Sequence, residues 1–139
     1  MKDFGRISTT RIYQTITTTG DVAEGEFDVG ATETNILEMV SQNFKNFFIE
    51  SRNADTANTC TFKIYASRKF NESVPATGDA FWTATGIHWY LLDTQAAVAI
   101  TSNAVVKEYV DKGYNYLLVT AQGSGAGTGV RARAVFTTY

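Results

Sequence analysis

The chain has one cysteine and one histidine in 139 residues, and each scarcity removes a class of function. Cys60, being alone, allows no disulfide within the chain. His88 has no second histidine or cysteine to share a metal, and no serine or aspartate stands around it in a hydrolase pattern. Basic runs are missing too. Twelve Lys and Arg against 14 Asp and Glu leave a net charge of −2, so phosphate-driven binding of DNA or RNA is not expected. No stretch approaches the apolar length of a membrane span, and Met1-Lys2-Asp3-Phe4-Gly5-Arg6 lacks the apolar run of a signal peptide. Asn71-Glu72-Ser73 matches a glycosylation acceptor, but without a secretion signal the match carries little. The expectation is a protein that is not an enzyme, with no cofactor or metal and with neither a nucleic-acid nor a membrane partner.

What the chain does have is β character. Hydrophobic residues make up 44% and aromatics 13%, enough for a true core in one domain. Phe62-Lys63-Ile64-Tyr65-Ala66, Tyr116-Leu117-Leu118-Val119-Thr120 and Val130 to Phe136 are rich in β-branched and aromatic residues with period two. Thr10–Thr19 alternates as a first strand, Glu24–Val29 as a second, and Phe44–Glu50 and Thr59–Ala66 follow. Asn35–Val40 fits a helical stripe as well as a strand buried on both sides; strand is preferred, because the β character continues after Ser41-Gln42-Asn43. Asn53–Asn58 is polar and turn-forming, which predicts a hairpin to the next strand. Residues 67–80 form a long loop, followed by apolar segments at Phe81–Ala84, Trp89–Leu92 and Ala96–Ile100. Ala104–Lys112 predicts one or two helical turns, with Asn103 as cap, Gly113 after the end, and a stripe of Val105, Val106, Tyr109 and Val110. Strands at Tyr114–Ala121 and Val130–Thr138 close the domain around a Gly-rich tip at 123–129. Many short strands with turn signals between them predict an all-β antiparallel sandwich, Ig-like or jelly-roll-like, with at most one short helix. Residues 1–9 read as an arm and 10–139 as a single domain.

Few groups invite a chemical reading. The glycines at 123–129 are followed by a strand pattern, whereas a phosphate cradle needs a helix N-terminus there. A hairpin tip is preferred. Asp21, Glu24, Glu26 and Asp28 could gather Ca²⁺, but the EF-hand spacing is absent and a solvated charged strand is the simpler reading. Cys60 falls on the apolar side of Cys60-Phe62-Ile64-Ala66, where a thiol acts as a small hydrophobe. Phe81, Trp82, Trp89 and Tyr90 could stack on sugar rings or fill a core or a subunit interface; the second is preferred.

The order of segments carries a resemblance. Thr34–Val40, Phe47–Asn53, Thr61–Ser67, Tyr114–Ala121 and Gly129–Phe136 together resemble the small β-sandwich structural proteins of tailed bacteriophages, including head decoration or cement proteins. The resemblance spans about residues 30 to 139 and transfers no functional residue. It implies a virion component without enzymatic activity, often a symmetric oligomer that bridges capsid subunits. The partners expected from it are the major capsid protein or other virion subunits and further copies of the chain. Partner contacts are expected at Phe4, Ile7, Ile12 and Tyr13 in or near the arm, and at Trp82, Trp89 and Tyr90. The alternatives are a tail, fibre or head–tail connector component, and a glycan-binding sandwich module.

Overall fold

A computed structural model describes residues 12–15, 22–41, 44, 46–69, 79–83, 88–101, 105–109 and 113–137. Among these residues nine strands form two facing sheets. They are β1 (Ile12–Thr15), β2 (Val22–Val29), β3 (Thr34–Val40), β4 (Asn46–Asn53), β5 (Cys60–Ser67), β6 (Trp89–Val98), β7 (Val105–Tyr109), β8 (Tyr116–Gly123) and β9 (Thr128–Thr137). One sheet has the order β1-β3-β8-β5-β6 and the other β2-β9-β4-β7. The predicted all-β sandwich is therefore the fold. All described pairings are antiparallel except β1 with β3, which run parallel. Such a pair cannot be joined by a tight turn, and here β2 of the opposite sheet lies between its two strands in the chain.

From β1 to β9 the chain changes sheet at each step save one, β5 to β6. This corrects two expected hairpins. Residues 54–59 cross from the four-stranded to the five-stranded sheet, and residues 124–127 cross back the other way. Each crossing is held by polar groups that a turn-rich sequence supplies. The Asn53 amide donates to Asn58 O at 2.7 Å and Val98 O at 2.8 Å. Asp55 Oδ1 accepts the Asn58 and Ala57 N–H groups at 2.7 and 2.8 Å, and those bonds hold its carboxyl below the usual carboxylate range. The second crossing docks on the first, with the Thr59 N–H donating to Ser124 Oγ at 3.1 Å. A Cβ at Gly123, where this crossing begins, would stand 2.7 Å from Thr128 Cβ and 2.9 Å from the Gly125 carbonyl oxygen, so this close approach needs glycine.

The predicted helix over 104–112 is also corrected. Val105–Tyr109 is an edge strand, in register with Ser51 to Phe47 of β4. A helix this short is marginal by itself, and the free side of β4 offers its backbone groups a complete ladder. Phe81-Trp82 lies in a 3₁₀ turn at Ala80–Trp82, while the segments at 89–92 and 96–98 belong to one ten-residue strand.

The main core lies between the sheets. Phe27, Phe47, Ile49, Phe62, Ile64, Leu117, Val119 and Val130 are among its buried members. Cys60 joins them at 1% exposure, and burial pushes its thiol up to about 11; at neutral pH it is a packed hydrophobe. On β4 and β9 the alternate positions Glu50, Arg52, Arg131 and Arg133 face away from the core. Glu24 and Glu26 of β2 stand in register with Arg133 and Arg131, and Arg133 Nη2 reaches Glu50 Oε2 at 3.1 Å. Opposite charges thus line this face.

Candidate functional site

The five-stranded sheet is covered on its outer side as well. Tyr116 and Leu118 alternate along β8 with core residues Leu117 and Val119, yet both are fully buried. They join Val40, Tyr65, Trp82 and Trp89 in a second apolar cluster, with Phe81 packed against it. The cover comes from the β5–β6 connection. Asp79 caps the 3₁₀ turn by accepting the Phe81 N–H at 3.2 Å, and the Trp89 indole N–H donates to Phe81 O at 3.1 Å. The Phe81 ring meets Tyr116 at 4.7 Å and Trp82 at 5.2 Å between centroids, both edge to face, the geometry favoured by aromatic quadrupoles.

Trp82 and Trp89 thus fill a core, the reading preferred over sugar stacking, and are withdrawn from the surface where partner contacts were expected at these positions. They are 1% and 7% exposed, so neither ring face is open to a sugar or a protein partner. His88 lies against the same aromatics, 5.2 Å from the Phe81 ring and 5.5 Å from Trp89. No carboxylate or hydroxyl is found within hydrogen-bonding distance of its Nε2 among the described residues.

Beside the aromatic cover lies a polar patch that sequence reasoning missed. The Asn35 amide donates to Glu38 Oε2 at 2.9 Å and to Trp82 O at 2.7 Å, which pins the cover to β3. Glu38 is 0% exposed, so this bond replaces water that a buried carboxylate would otherwise lose. Lys63 Nζ lies 3.2 Å from Glu33 Oε1, and Tyr65 OH donates to the same carboxylate at 3.3 Å. Burial first, and the Glu33 charge second, push the Tyr65 hydroxyl up to about 12. The patch ties elements together; a proton donor and acceptor facing a common cleft are not what it presents. One signal could have found the cover over this sheet: Tyr116 to Thr120 is apolar at almost every position, the mark of a strand buried on both faces.

Tyr90 is placed differently. It and Leu91 are 55% and 53% exposed, the exposed large hydrophobics among the described residues. They are consecutive on β6, an edge strand hydrogen-bonded to β5, so their side chains project to its two faces. Ile12 and Tyr13 lie in β1, in register with Leu37 and Glu38. Phe4 and Ile7 lie outside the described residues, as does the arm at 1–9 and Asp21 of the acidic set. Among the described residues no three His, Cys, Asp or Glu side chains gather as metal ligands, and no helix is long and apolar enough to cross a membrane.

No family model matches this chain, and no curated protein does. Among solved structures it is similar to a chain in the "Structure of infectious bursal disease virus Gx strain", with TM-score 0.36 and 8% identity. The likeness covers 85% of this chain and 30% of that one, so the chain spans under a third of its neighbour's length. At that TM-score the likeness carries no argument about function.

Proposed function

We propose that the chain is a non-enzymatic structural protein of the virion, a capsid decoration or cement protein that binds neighbouring major capsid subunits. The observation that carries the reading is the Tyr90–Leu91 step on β6. Other large apolar side chains described in this sandwich are wholly or partly withdrawn from water, while these two stand more than half exposed on a strand edge. Exposed apolar groups at a free edge suit docking by added strand pairing and apolar burial. A clamp that binds only the assembled shell stabilises it by mass action. In this reading Phe4 and Ile7 of the segment 1–9, and Ile12 and Tyr13 of β1, are further apolar anchors for a partner. The glycan-binding alternative loses its platform, since Trp82 and Trp89 are inside. The test is the copy number of the chain in purified particles, by quantitative mass spectrometry against the major shell protein. A decoration protein appears in a fixed ratio to shell subunits. A trace or absent signal ends the proposal, and a count matching a single ring moves the chain to a connector.

A further inference from the structure

The sandwich has four free strand edges among the described residues, and they are not alike. Edge strands normally carry charges, proline or irregularities that deter pairing with another chain, or are very short. β1 has four residues. β2 carries Glu24, Glu26 and Asp28, and β7 carries Lys107 and Glu108. β6 has ten residues and a single charge, Asp93, which is already held by Gln95 Nε2 at 3.1 Å and Lys107 Nζ at 3.9 Å. It also carries the Tyr90–Leu91 step.

β6 is irregular in two places. Its register against β5 shifts at Leu92, and again at Ala96-Ala97, where Ala97 has φ 51°. Bulges bend a strand and raise its twist, which spoils pairing with a straight partner. These two, however, lie on either side of Thr94 at nearly equal distances, one two residues before it and the other two to three after it. An antiparallel copy of the same strand, related by a two-fold axis at Thr94, would set Leu92 against Ala96 and Leu91 against Ala97. Bend would meet bend, and a large apolar side chain would meet a small one. Asp93 would face Gln95 rather than its own copy, so no charge would oppose a like charge. Few strands are complementary to themselves in shape and charge at once, and a two-fold interface requires both.

We infer that β6 is the docking edge for a second copy of this chain, paired antiparallel about Thr94 so that two five-stranded sheets join into one. The inference deepens the assembly reading, on which it rests for treating this edge as a docking surface, and gives the edge to a second copy of the chain, which leaves the residues named at 1–13 to meet the shell.

The test is the mass of the isolated protein in solution, by light scattering after size exclusion at ~100 µM, a load suited to micromolar affinities. Wild type is expected at twice the chain mass. Thr94→Glu places a negative charge beside Lys63, its cross-strand neighbour on β5, which the monomer tolerates, but sets two carboxylates against each other across the axis. It should weaken the dimer about tenfold or more, and Leu91→Lys should do likewise, with unchanged circular dichroism in both. Mixing Thr94→Glu with Thr94→Lys protein should restore pairing, which a register centred elsewhere would not. A monomeric wild type, or a dimer indifferent to Thr94→Glu and Leu91→Lys, overturns the inference. Particle copy number is read separately, so a monomer that still decorates particles sinks the pairing and leaves the virion reading standing.

Discussion

The two sheets solve the same burial problem differently. In the four-stranded sheet one face is core and the other is wet, as the alternation of Phe47, Ile49 and Ser51 with Phe48, Glu50 and Arg52 records. The five-stranded sheet is buried on both faces where β3 and β8 lie, and its outer face is a second core under Phe81, Trp82 and Trp89. A sheet covered twice is stiffer and loses more when its cover is removed. Among the described residues, β6 is the part of its rim where large apolar side chains remain in water.

Trp82→Ala should have the largest effect of the changes that probe this contrast. It removes a fully buried indole from the cover, at a cost of about 3–5 kcal/mol. Urea unfolding should report that loss, with a Tm lower by ~10 °C or more. A loss below ~1 kcal/mol would mean that the outer face is not a core. Arg133→Ala on the wet sheet should sit at the other end of the scale. It breaks an ion pair whose side chains are 41% and 31% exposed, so the same measurement should report ~0–1 kcal/mol, shrinking with added salt. Equal effects from the two substitutions would erase the distinction between the sheets.

How much of this was legible in the sequence depended on the range of the signal. Period-two alternation located β4, β5 and β9 to within a few residues, because one-sided burial is written residue by residue; β8, buried on both faces, was found from its run of β-branched and aromatic residues instead. Asn35–Val40 was ambiguous for a physical reason. Ile36, Leu37, Met39 and Val40 are all buried, and two-sided burial erases the alternation. Val105–Tyr109 was misread because its ladder with β4 is a tertiary fact that overrides a helical stripe. The two arches were read as hairpins because polar turn residues bend a chain alike whether the next strand joins the same sheet or the opposite one. Trp82, Trp89 and Tyr90 form one aromatic group in sequence. The structure divides it, with the two indoles sealing the sheet and the tyrosine outside.

The central claim is that the outer face of the five-stranded sheet is a sealed second core. The chain contains two tryptophans, and both belong to that seal, so their fluorescence measures it directly. The account predicts emission shifted to the blue of a solvated indole and little quenching by iodide in the native protein, with both properties lost together on unfolding. Red emission quenched freely in the folded state would contradict it.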